Sequence, residues 1–171
     1  MIPKILKIII AVLFMLFGIY QFTEDFIGNG IFYILISGFF ILLYFKNEFI
    51  FLAFLRLRKQ DFNGTLKWLN RINNPERNLV KKQQGYFHYL HGIILSQSNL
   101  TQAEKHFKKC LTLGLSMSTD LAMAKMSLAG ILMQKRRKRE AITLLNEAKK
   151  LDNHNMLGEQ IKILQKQLKR I

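Results

Sequence analysis

Two histidines three residues apart, His88 and His91, are the first side chains whose type and spacing could do chemistry. On a helix they share one face, a spacing that can serve a metal ion. Glu104 and His106 follow at positions that spacing alone does not fix, and Cys110 is the single cysteine of the chain. With no acidic ligand close by, the two histidines read as packing positions and no metal is expected. Glu24 and Asp25 are adjacent, so on a helix they would not face one another as an acid–base pair. A glycine-rich phosphate loop, a nucleophile elbow and a cysteine cluster are all missing from the sequence, so neither catalysis nor a cofactor is expected. The other concentrated chemistry is cationic: Lys135, Arg136, Arg137, Lys138 and Arg139 follow one another without a break. That run reads either as a solvated turn or as a surface for anionic lipid headgroups or RNA phosphates.

The elements that must position these groups fall into two compositions. The chain has 171 residues and a net charge of +15. Residues 1–45 balance Lys4 and Lys7 against Glu24 and Asp25, so the whole excess lies on residues 46–171. Residues 5–22 carry no charge except Lys7, and residues 26–45 carry none. A bilayer core of roughly 30 Å takes about 20 such residues as helix, so both segments are expected to be transmembrane helices. The rival reading, a cleaved signal peptide followed by a buried hairpin, lacks a small-residue cleavage site near Gly18. Basic flanks at Lys4, Lys7, Lys46, Arg56, Arg58 and Lys59 place both termini in the cytoplasm, with residues 23–29 outside and a turn expected at Gly28-Asn29-Gly30. The expectation is an integral membrane protein of a bacterial inner membrane. A lone cysteine fits a reducing compartment. The Asn-x-Thr triplets at Asn63 and Asn99 read as turn residues.

Beyond residue 45 the pattern becomes periodic. From Ala129 the offsets are 3 to Leu132, 12 to Ala141, 16 to Leu145 and 19 to Ala148, with Leu128 on the first of the two faces. Gly92, Leu95, Ala103, Phe107 and Cys110 repeat the pattern one residue short, and Ala53, Thr65, Leu69 and Ile72 keep its 12, 16 and 19 offsets. This spacing closely resembles the tetratricopeptide repeat, although the periods are 39 and 37 residues against about 34 for the family. Arg56, His88 and His91 depart from its apolar preferences. The resemblance implies an all-α protein in which residues 46–153 form about three helical repeats. Residues 154–171, with Leu157, Ile161, Leu164 and Leu168 on one face, would cap the array or lie free on a membrane.

The resemblance also implies a concave groove lined by the first helix of each repeat. Its ligand-facing positions fall on Tyr86, Tyr89, Ile93 and Ser96, then on Met123, Met126, Gly130 and Met133, with Gln97 and Gln134 at the edge. Tyrosine and methionine suit an apolar peptide or helix, unless the protein fills the groove itself. The lysine and asparagine used by chaperone-tail receptors of this family are not at these positions. The expected function is a noncatalytic, membrane-anchored scaffold that binds a protein partner, alone or as a subunit of a membrane complex and in contact with the lipid bilayer. The alternative is a ribosome- or nucleic-acid-tethering factor acting through the basic surface. A membrane enzyme would have only Tyr20, Gln21, Tyr33, Ser37 and Tyr44 to work with inside the spans.

Overall fold

A computed structural model describes residues 4–45 and 47–169, the side chains of 4, 5, 7 and 42–45 excepted. The described residues form ten helices and no strand, so the protein is all-α. They divide into two compact units, residues 1–48 and 49–171.

The first unit pairs α1 (Lys4–Thr23) with α2 (Ile27–Phe45). Small residues set the contact. Ser37 Oγ donates to the Ala11 carbonyl at 2.8 Å, and a Cβ on Gly18 would lie 3.2 Å from the Gly30 carbonyl. Pairing 11 with 37 and 18 with 30 runs the helices antiparallel. Around this seam Phe14, Phe17, Tyr33 and Phe40 pack ring on ring. The turn falls earlier than expected. Asp25 takes φ 61° and the Phe26 N–H donates to the Gln21 carbonyl, while Gly28, Asn29 and Gly30 lie within α2.

The two expected membrane spans are not found. Among the described residues no helix is long and apolar enough to cross a membrane, which overturns the reading as an integral membrane protein with cytoplasmic termini. Polar side chains also interrupt both apolar runs. Thirteen residues separate Lys7 from Gln21, about 20 Å of helix against a hydrocarbon core of roughly 30 Å. In α2, sixteen residues follow Asn29 up to Phe45, about 24 Å at the same rise. Lys4, Lys7 and Tyr44, whose expected roles depended on those spans, carry side chains outside the described ones, as does Lys46.

The second unit stacks its helices in chain order. α3 (Glu48–Arg58) and α4 (Phe62–Leu69) meet through Phe49 stacked on Trp68, with Arg71 over the indole at 4.5 Å. A short α5 (Pro75–Asn78) leads into α6 (Lys81–Leu95), which pairs with α7 (Leu100–Leu113). α8 (Ser118–Gln134) pairs with α9 (Lys138–Leu151), and α7 also packs on α8. α10 (Gly158–Leu168) rests on α9 and α8, with Leu157, Ile161 and Leu168 buried. It is therefore a docked helix and not a free one.

Local chemistry fixes where these helices begin and end. Asp61 accepts the Gly64 N–H at 2.8 Å and Asn99 accepts the Gln102 N–H at 3.0 Å, each supplying an N-terminal partner to its helix. α7 stops at Gly114, whose φ of 79° favours glycine. Asp152 is buried because its carboxylate accepts the Met156 and Leu157 N–H groups at 3.0 and 2.7 Å, which aims the chain into α10. The core follows the spacing seen in the sequence: Ala53, Thr65, Leu69, Ala103, Phe107, Cys110, Ala129, Ala141, Leu145 and Ala148 are fully buried. Each large apolar side chain so buried contributes roughly 1.5–3 kcal/mol.

Candidate functional site

The expected Tyr–Met groove is only partly a surface. Tyr89 and Met133 lie in the core, so at those positions the protein fills the groove with its own side chains. Tyr86 is half-buried and its hydroxyl donates to Asp120 at the start of α8. Burial, with that bond, pushes its phenol up to about 12. Ile93, Ser96, Met126 and Gly130 are half-buried, and Met123 is the exposed member of the set. Ser96 Oγ is turned back to the Ile93 carbonyl. What remains at the surface of the set is Met123, with Met126 half-buried three residues on.

The cationic run is also not the free patch that its sequence suggests. Arg136 turns the chain with φ 59°. That turn swings Lys135 and Arg137 onto Glu104 of α7, with N–O distances of 2.7 and 2.6 Å, and Lys108 reaches the same carboxylate at 2.7 Å. Arg137 also grips Glu140 through two nitrogens, at 2.8 and 2.6 Å. Two of the five expected anion-binding residues thus bind an internal carboxylate and tie α7 to the α8–α9 turn. Arg136, Lys138 and Arg139 are exposed.

Glu104 is buried, and the hydrogen bond from Lys108, then that from Lys135, holds its carboxyl down to about 2. Its folded pKa lies below the ordinary value of 4.5, so its contribution to stability is present above that value and is lost as pH falls towards 2. Glu104→Gln removes the shared anion and leaves three part-exposed cations facing one another, at a cost of about 2 kcal/mol at pH 7. Urea unfolding at pH 7 and pH 3 checks this, because the difference between wild type and variant shrinks at the lower pH.

The chemistry-bearing side chains between α6 and α7 come together more closely than the sequence indicates. His88 and His91 on α6 meet His106 on α7, the His88 and His106 Nδ1 atoms being 3.0 Å apart. Among the described residues no group of three or more His, Cys, Asp or Glu is arranged to hold a metal ion. Cys110 is buried, which pushes its thiol up to about 12 and away from reactivity.

A cleft that sequence reasoning missed lies between α7 and α9, over α8. It is an open depression of about 520 Å³ lined by Leu111, Leu128, Leu132 and Leu144, with Lys108, Thr112, Glu140 and Thr143 around it. A signal for it was present. Lys108, Leu111 and Thr112 repeat the spacing of Glu140, Thr143 and Leu144, three and four residues on from a charge, so corresponding turns of α7 and α9 both face the cleft with opposite charges at the rim. The arrangement can hold apolar side chains of an incoming segment but offers no reacting group. No protein-family model matches the chain, and no curated protein or solved structure matches it either.

Proposed function

We propose that the protein is a noncatalytic scaffold built from tetratricopeptide-like repeats, and that it binds an apolar helical segment of a protein partner in the α7–α9 cleft. The observation that carries this reading is the cleft itself: four leucines form its apolar wall, with charges of both signs at its rim. A helix laid in such a groove is anchored by apolar side chains one turn apart and oriented by the charges beside them. The hairpin of α1 and α2 complements this role as a contact within a larger assembly, since apolar side chains such as Leu13, Leu16, Ile27 and Leu35 stand exposed on it.

The test is crosslinking in native extracts followed by affinity capture at low and high salt, using the full chain and Thr112→Arg/Thr143→Arg. Both threonines are exposed, so the arginines close the cleft without entering the core. A protein partner captured at both salts and lost by at least tenfold in the variant supports the reading. Capture of RNA that collapses at high salt and ignores the variant favours the exposed Arg136, Lys138 and Arg139 instead.

A further inference from the structure

Three imidazoles meet between α6 and α7. The His106 ring centre lies 5.1 Å from that of His88 and 5.2 Å from that of His91. Phe87 closes the cluster on one side, 4.5 Å from the His91 ring. The 3.0 Å Nδ1–Nδ1 contact between His88 and His106 needs one nitrogen with a proton and one without. A proton on both would turn that hydrogen bond into a repulsion between cations in a half-buried space.

The surroundings do not compensate for added positive charge. From α5, Glu76 reaches this region, but it is exposed and engaged by Lys109 of α7 at 3.0 Å. Lys109 itself adds positive charge beside His88 and His106. On α4, Lys67 is exposed, and on α8, Asp120 is committed to the Tyr86 hydroxyl. Burial first, and the neighbouring cations second, push His88 down to about 4, while burial and then His106 do the same for His91. His106 is lowered too.

We propose that His88, His91 and His106 form a proton-operated latch that holds α6 against α7 when neutral and releases it when protonated. The direction follows from linkage. Groups whose folded pKa lies below the ordinary 6.5 leave their stability contribution intact above that value and withdraw it as pH falls towards 4. Mildly acidic conditions therefore loosen the α6–α7 pair while Glu104, which responds only below 4.5, still holds its cations. The latch does not depend on what the cleft binds, because its readouts use no partner.

The experiment compares the full chain with His88→Gln/His91→Gln/His106→Gln at pH 7.5 and pH 5.0. Urea unfolding gives the equilibrium constant, and amide hydrogen exchange gives its location. In wild type the unfolding constant rises by about tenfold or more relative to the variant across this interval, and the lost amide protection concentrates in α6 and α7. An equal pH response in the variant overturns the proposal, as does protection lost evenly across α6–α9. Side-chain NMR of wild type covers the case in which the variant fails to fold. Three imidazoles titrating independently near the ordinary histidine value would also overturn the latch.

Discussion

Gly85→Ala destabilises the second unit, although alanine is the better helix former. Propensity alone favours the substitution by about 1 kcal/mol inside a helix. Packing opposes it, because a Cβ on Gly85 would lie 2.2 Å from the Gly114 carbonyl oxygen and 3.3 Å from Leu115. The obstacle is backbone, and Gly114 is held at the end of α7 by its N–H bond to the Cys110 carbonyl. α6 must therefore move away from α7, and overpacking of this kind costs roughly 1–3 kcal/mol or more. Because the 2.2 Å contact is with backbone, the cost falls at the upper end of that range, and the net loss expected is about 2 kcal/mol. Urea unfolding followed by circular dichroism measures it, and a stabilised variant would show that the helices separate freely at that point.

Phe107→Ala has the larger effect, a loss of about 3–5 kcal/mol. The ring is fully buried and sits edge-on to Tyr89 at 6.2 Å. It also covers Gly92 so closely that a Cβ there would meet its atoms at 3.0 Å. The two positions are thus a size pair, small on α6 and large on α7. This predicts a coupling that a double-mutant cycle can read. Gly92→Ala destabilises wild type but is neutral or stabilising once Phe107 is alanine. Trp68, the single tryptophan, reports α4 separately through its fluorescence. A shift in its signal that coincides with the circular dichroism transition would show that the loss is felt beyond the α6–α7 pair.

The same size pair shows why much of the fold was legible in the sequence. Alternation of small and large residues at fixed helical offsets is a direct imprint of close helix packing, and Gly92 with Phe107 and Ala129 with Leu145 carry it. All four are buried. The candidate surfaces were less legible because charge and aromatic content do not reveal what a side chain faces. Five adjacent cations look solvated until the turn at Arg136 delivers two of them to Glu104, a residue more than thirty positions upstream. Tyr89 and Met133 fit a ligand groove by position but are consumed by the core. His106 could be placed beside His88 and His91 only once the register of α7 on α6 was known. The membrane expectation rested on a count of apolar residues, in which Gln21 and Asn29 interrupt the runs.

The packing of α6 to α10 also bears on how the body is made. Each helix in that series finds its main neighbours among those next to it in the chain: α6 with α7, α7 with α8, α8 with α9, and α10 with α9 and α8. No distant segment has to arrive before a pair can close. Contacts this local favour fast folding. The α6–α7 pair, with Phe107 set against Tyr89 and Gly92, can therefore close before α8 to α10 are added to it.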